Sequence, residues 1–106
     1  MLFNLNAGHT ITGADTGARA NTLGKLRIEE QMTRKLVDIL AEDLKKEGHN
    51  INIVKCDYAS TLNESLNIQV NKCNAVNADL NIVIHFNCFN TKANGSEIYT
   101  WRGEKF

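Results

Sequence analysis

The sequence predicts an α/β fold with a mostly parallel central sheet and flanking helices, in the order β-α-β-α-β-β. One observation is a short, continuous apolar segment, LNIVIHFN at residues 80–87, which is typical of a strand buried on both faces of a parallel sheet. A second is a similar segment at residues 2–7, and a histidine lies at the carboxyl end of each, His9 after the first segment and His85 within the other. A third is that helical patterns separate the strands, and strand–helix–strand units imply a parallel sheet.

The first predicted helix covers residues 25–47 and ends at Gly48, a common helix stop. Its apolar face is made of residues that recur every four positions, with two more beside them: Ile28, Met32, Leu36, Leu40 and Leu44, then Val37 and Ile39. Each residue turns a helix by about 100°, so Glu29 lies about 20° from Leu36 and Glu30 roughly 120° away. We therefore expect Glu29 at the head of the buried stripe and Glu30 in solvent.

A carboxylate on a buried stripe is costly unless a cation or hydrogen-bond donors meet it. Ligands bind to open α/β sheets at the carboxyl ends of the strands, where we expect His9, His85 and Glu29 to meet. The alternative is a helix that starts later and leaves Glu29 as a solvated acid favoured by the helix dipole.

The remaining elements follow from the same patterns. They are a strand at residues 50–55, a loop at 56–61, a helix at 63–78, a strand at 80–87, a loop at 87–95 and a last strand at 96–101. The second helix has an apolar stripe of Leu62, Leu66, Val70, Cys73 and Val76. The loop at residues 10–19 is long for a strand–helix connection, which indicates either a functional loop or a mobile surface excursion.

Composition limits the possible functions. The chain has 106 residues, 42% apolar content and no net charge, which predicts one ordinary globular domain without a basic patch for nucleic acid. Its apolar segments are too short to cross a membrane. Met1 leads straight into a strand, which predicts a protein synthesised without a signal peptide in the cytoplasm. Three irregularly spaced cysteines, Cys56, Cys73 and Cys88, are expected to be reduced and packed as small apolar side chains.

Two imidazoles and one carboxylate, from His9, Glu29 and His85, are a common ligand set for a catalytic zinc ion. Three protein ligands leave the fourth position open for water, whose pKa the metal lowers. The implied reaction is hydrolysis of an amide or an ester. Each residue alone is a weak signal, because the chain has no HExxH motif to fix two ligands on one helix.

Several short segments together carry a resemblance to a known family. They are NAGH at residues 6–9, KEGH at 46–49, NADL at 77–80, IHFN at 84–87 and GSEIY at 95–99, with Glu29 ahead of the leucine-striped helix. In this order, they resemble zinc-dependent N-acetylmuramoyl-L-alanine amidases of the amidase-3 type, and are similar to clostridial phage endolysin catalytic domains. The resemblance implies a truncated amidase-3-like fold, with residues 1–106 as the amino-terminal portion of a catalytic domain.

The resemblance also implies an activity. His9, Glu29 and His85 would hold Zn2+, and zinc-activated water would cleave the amide between N-acetylmuramic acid and L-alanine in peptidoglycan. The partner would be the cell wall, which such a bacteriolytic hydrolase degrades.

One departure from the family concerns a second, catalytic glutamate, which relatives carry in a region beyond the last predicted strand. Glu97 and Glu104 do not match it, and Asp15 is the only substitute in this chain. The catalytic residue is therefore unknown. The alternatives are a catalytically incomplete peptidoglycan-binding or regulatory module and another zinc amidohydrolase or carboxypeptidase. A missing helix would also leave apolar surface uncovered and favour self-association.

Overall fold

The computed structural model describes residues 1–86 and 96–100, and its elements are short strands around two helices. In chain order they are β1 (Leu2–Ala7), β2 (Thr12–Gly13), β3 (Arg19–Thr22), β4 (Lys25–Ile28), α1 (Glu29–Lys46), β5 (Asn50–Val54), β6 (Tyr58–Ala59), α2 (Leu62–Asn74) and β7 (Leu80–Ile84).

The central sheet has three parallel strands in the order β5-β1-β7. After β1 the chain continues through α1 to β5 on one side, and then through α2 to β7 on the other. The strand order therefore reverses around β1, and such a switch point opens a crevice at the carboxyl ends of the strands. The predicted α/β fold with a mostly parallel sheet is confirmed.

The two faces of this sheet differ in chemistry. Phe3, Leu5 and Ala7 of β1 point to one face, where they form the apolar core with Val37 and Ala41 of α1. The core is widened by partly buried side chains from the two outer strands and the helix: Leu40, Leu44, Ile51, Leu80, Ile82 and Ile84. This face buries the apolar half of each strand.

The opposite face carries asparagines at the same level of the three strands. Asn52 Nδ2 donates a hydrogen bond to Asn4 Oδ1 at 2.8 Å, and Asn4 Nδ2 donates to Asn81 Oδ1 at 2.6 Å. Asn4 also donates to the carbonyl of Cys73 in α2, at 3.1 Å. The prediction that the strand at 80–87 is buried on both faces is therefore wrong for this face, where Asn81 and Val83 are exposed.

The segment before α1 forms a β-hairpin, β3–β4, where the sequence analysis expected helix. Leu23 and Gly24 at its turn both have positive φ angles, 53° and 71°, as the central residues of a tight hairpin turn require. The helix starts at Glu29 with extended Ile28 as its N-cap and no capping side chain, so no start signal was available. Its end is as predicted, because Gly48 and His49 donate backbone hydrogen bonds to Lys45 and Leu44.

The buried line of α1 is rotated from the predicted one. It runs through Thr33, Val37 and Ala41, whereas Leu36 remains 39% exposed. Glu30 lies seven residues before Val37 and so only about 20° from it. The prediction that Glu30 points into solvent is wrong, since Glu30 is 1% exposed. The small Thr33 and Ala41 side chains sit where the helix meets the sheet.

The predicted apolar stripe of α2 is also wrong. Leu62, Leu66 and Val70 are about half exposed, and the helix instead buries Ser65 and Gln69. The reason is the polar sheet face beneath it, which pairs with polar side chains.

Three further predictions concern the rest of the chain. Cys56 and Cys73 are free, as expected, and Cys88 lies outside the described residues. The last strand is not formed over residues 96–100, and Trp101 and the loop at 87–95 are outside the described part. No helix in the described residues is long and apolar enough to cross a membrane.

Asn4→Ala should lower the free energy of unfolding by roughly 2 kcal/mol, because it removes a fully buried amide that hydrogen-bonds Asn52, Asn81 and the carbonyl of Cys73. Asn81→Ala is the matched control at the exposed edge of the same row and should cost less. Urea denaturation of the two variants measures the difference. Equal losses would contradict the central position of Asn4 in this row of asparagine side-chain hydrogen bonds.

Candidate metal centre

Three side chains meet at the carboxyl ends of the strands. His9 follows β1, His85 follows β7 directly, and Glu29 is the first residue of α1. Glu29 Oε1 lies 3.2 Å from His9 Nε2 and 3.3 Å from His85 Nδ1. The two imidazole rings are 4.7 Å apart and nearly perpendicular. The structure thus brings together the three residues that the sequence analysis selected.

The spacing of these atoms suits a small metal ion. One ligand atom from each residue lies within 4.8 Å of the others. With bonds of about 2.0–2.2 Å, the ligands of a tetrahedral zinc ion are roughly 3.3–3.6 Å apart. Two imidazoles and a carboxylate are also ligands that zinc accepts. The residues therefore fit the metal that the sequence analysis expected.

Glu29 is held by backbone amides as well as by the histidines. Ala18 N donates to Oε2 and Phe86 N to Oε1, both at 2.9 Å, and Glu29 N donates back to the carbonyl of Ala18 at 3.0 Å. Burial raises the pKa of the Glu29 carboxyl, but these amides and the two histidines outweigh it and hold the pKa below its ordinary value. Glu29 is therefore a buried anion at neutral pH.

Glu30 has a different partner set, although it is adjacent and equally buried. Its carboxylate forms an ion pair with Arg19 at 2.7 Å and accepts a hydrogen bond from Gly17 N at 3.1 Å. Glu30 therefore anchors the loop before the hairpin, while Glu29 faces the histidines.

His9 has a left-handed backbone, with φ of 68°, which is uncommon for a residue with a side chain. Arg34 of α1 donates to the carbonyl of His9 at 3.1 Å and to that of Cys56 at 3.0 Å, and it pairs with Asp57. Arg34 thereby ties the segments after β1 and β5 to the helix. The sequence analysis missed this residue, since no motif marks it.

Asp15 lies in the loop at residues 10–19, which backbone hydrogen bonds join to residues 57–59. Its β2 segment pairs with β6, and Asp15 Oδ1 lies 3.1 Å from His9 Nδ1. The other oxygen accepts a 2.6 Å hydrogen bond from Ser65. Asp15 thus contacts the imidazole edge that faces away from Glu29. The sequence analysis missed Ser65 because it considered only the apolar residues of this helix.

The other titratable residues considered from the sequence lie apart from the centre. Glu97 accepts a hydrogen bond from Tyr99 and is exposed, and Glu104 is outside the described residues. His49 packs edge-on against Phe3 and faces the amino terminus, so it is half-buried at the other end of the sheet.

A parallel sheet that presents two histidines and a glutamate at one rim defines an α/β domain with a candidate metal centre. The family model of N-acetylmuramoyl-L-alanine amidases of the amidase-3 type matches residues 4–105, and the chain belongs to this family.

Among solved structures, the chain is similar to the catalytic domain of the CD27L endolysin targeting Clostridia Difficile. The sequence identity is 28% and the TM-score is 0.73. The match covers 88% of this chain and 51% of the other, so the chain spans about half the length of that domain. A comparison with curated proteins finds no match.

Gly8→Ala should weaken metal binding much more than it weakens the fold. An added Cβ would lie 2.6 Å from His85 Nδ1, so the imidazole would have to leave its position beside Glu29. The ring is at the end of a half-exposed side chain and can turn away at little cost to packing. Zinc affinity and urea denaturation, measured on the same variant, separate the two effects. Unchanged zinc affinity would contradict the role of this close approach.

Proposed function

We propose that this chain is the zinc-holding part of a peptidoglycan hydrolase that cleaves the amide between N-acetylmuramic acid and L-alanine. The family supports amidase chemistry, and the triad of His9, Glu29 and His85 supports a metal-dependent mechanism. The observation that carries the proposal is the placement of Glu29 Oε1 within 3.3 Å of a ring nitrogen from each histidine.

In this proposal His9, Glu29 and His85 would hold the zinc ion through His9 Nε2, Glu29 Oε1 and His85 Nδ1. A zinc ion with three protein ligands supplies Lewis acidity at its remaining coordination position. The hydrogen bonds from Ala18 and Phe86 keep Glu29 anionic and fix the direction of its carboxylate. These contacts prepare the ligand set before metal arrives, so little rearrangement is required.

The exposure of the three ligands indicates the side from which substrate approaches. The side chain of Glu29 is 6% exposed and that of His9 is 23% exposed, whereas that of His85 is 41% exposed. Among the described residues, the centre is therefore closed toward α1 and most exposed at His85. A polymer such as peptidoglycan needs an open approach of this kind, because its chain cannot enter a closed cavity.

The described residues provide no free carboxylate at the centre to act as a general base. Both oxygens of Asp15 are engaged, one by His9 and one by Ser65, and Glu30 pairs with Arg19 and Gly17. This observation favours the second candidate function, a module that binds metal and cell wall with little cleavage on its own. Both candidate functions use the metal centre. Only the hydrolase also needs a group that accepts the proton of the attacking water.

The metal assignment is tested by two neighbouring substitutions, Glu29→Gln and Glu30→Gln. Both replace a buried carboxylate at the start of α1, but only Glu29 contacts the histidines. We expect Glu29→Gln to lower zinc affinity by at least about tenfold, because a neutral amide replaces the anionic ligand. Competition with a chromophoric chelator measures the affinity.

Glu30→Gln should lower the free energy of unfolding and leave zinc affinity within a few-fold of the original. The proposal is wrong if Glu30→Gln releases the metal and Glu29→Gln retains it.

The second prediction concerns turnover by the 106-residue chain. We expect it to bind zinc yet release L-alanine amino termini from purified Clostridia Difficile walls slowly. A positioned general acid or base contributes about 10²–10⁴-fold, and the CD27L catalytic domain, which is about twice as long, serves as the positive control. Equal rates from the two proteins would show that residues 1–106 already hold a full catalytic set and would remove the second candidate function.

A further inference from the structure

A chain of buried hydrogen bonds links the metal centre to α2. Asn6 Nδ2 donates to Gln69 Oε1 at 3.0 Å, and Gln69 Nε2 donates to Ser65 Oγ at 2.9 Å. Ser65 Oγ lies 2.6 Å from Asp15 Oδ2, and Asp15 Oδ1 lies 3.1 Å from His9 Nδ1. Ser65 is fully buried, and Asn6 and Gln69 are nearly so.

The hydrogen bonds in this series can run in one direction only, from Asn6 toward Asp15. Asp15 is an anion and accepts hydrogen bonds, so the hydroxyl of Ser65 must donate to it. The Ser65 oxygen is then free to accept from the Gln69 amide, whose own oxygen accepts from Asn6. Asn6 leaves its Oδ1 without a partner among the described residues, which is a cost that this direction imposes.

The same logic fixes the proton on His9. Its Nδ1 faces two acceptors, the Asp15 carboxylate at 3.1 Å and the Asp15 carbonyl at 3.2 Å. Its Nε2 faces Glu29 Oε1 at 3.2 Å and can bind a metal ion only through its lone pair, so a metal-binding His9 carries its N–H on Nδ1. The lone pair is left on Nε2, the nitrogen that lies beside Glu29. A carboxylate behind a ligating histidine orients the ring and sets its tautomer in this way.

We infer that Asp15 and Ser65 are positioning residues of the metal centre, with Asp15 holding His9 in the Nδ1–H tautomer and Ser65 holding Asp15. This inference deepens the proposed function and rests on it. It also explains why α2 keeps Leu62, Leu66 and Val70 half exposed while Ser65 and Gln69 are inside. Burying polar groups in place of these apolar side chains does not favour stability, but it delivers a hydroxyl to Asp15.

The test uses Asp15→Asn and Ser65→Ala, with Ser60→Ala as the matched control. Asparagine has the shape of aspartate but can present an N–H to His9, which favours the Nε2–H tautomer and blocks coordination. Ser60 is exposed, and its hydroxyl bonds Glu64 and not Asp15. Two readouts are taken: zinc affinity, and the side-chain 15N spectrum of His9 in metal-free protein at a pH where the imidazole is neutral.

We expect Asp15→Asn to lose about 10–100-fold in zinc affinity and to shift the His9 spectrum toward Nε2–H, with Ser65→Ala showing a smaller loss in the same direction. Ser60→Ala should change neither readout. The inference is overturned if both variants keep the wild-type tautomer and affinity and lose only unfolding free energy.

The two proposals fail differently. If the unaltered protein binds no zinc, the proposed function fails, while the tautomer of metal-free His9 still tests the role of Asp15. If Asp15→Asn does not fold, the milder Ser65→Ala decides on the same two readouts.

Discussion

The structure depends most on how the chain accommodates one buried anion, the carboxylate of Glu29. Removing a carboxylate from water without partners costs several kcal/mol, so a fold that buries one must bring donors to it. Here two backbone donors come from separate parts of the chain, Ala18 before the hairpin and Phe86 after β7, and the imidazoles of His9 and His85 lie beside the same carboxylate. The contacts that stabilise the Glu29 anion therefore also bring together the segments that form the metal centre. The mutual pairing of Ala18 and Glu29 takes the place of a capping side chain, which explains why α1 begins there.

The two chemically different faces of the sheet divide structural and functional tasks. The apolar face packs α1 and supplies the hydrophobic core, whereas the asparagine face packs α2 through hydrogen bonds. Because β1 is the middle strand, it contributes to both faces and leads directly to His9. Any shift of β1 by one residue would exchange the two faces and remove His9 from the rim. Core packing thus also determines the register that the metal centre requires.

The sequence predicted those features that depend on local patterns. The strands at residues 2–7 and 50–55, the second of which ends one residue earlier in the structure, follow from apolar runs. The helix end at Gly48 follows from a stop signal, and the grouping of His9, Glu29 and His85 from the rule for parallel strands. What it missed depends on partners distant in the chain. Glu30 is buried because Arg19 and Gly17 reach it, and α2 turns its polar side inward because asparagines lie beneath it. Hydrophobic periodicity assumes an apolar surface under each helix, and it gives the wrong phase where that surface is polar.

The backbone of His9 shows how the centre is kept in place without metal. A left-handed residue with a side chain costs about 1–2 kcal/mol, and such strain persists only where the surroundings fix it. Arg34 holds the carbonyl of His9, the amide of Thr10 donates to the carbonyl of Asp15, and the amide of Gly8 donates to Ile84. A relaxed conformation at His9 would break these contacts, and each is worth about as much as the strain. The ring is therefore aimed at Glu29 by backbone contacts on both sides, and its remaining freedom, rotation and tautomer, is what the Asp15 carboxylate restricts.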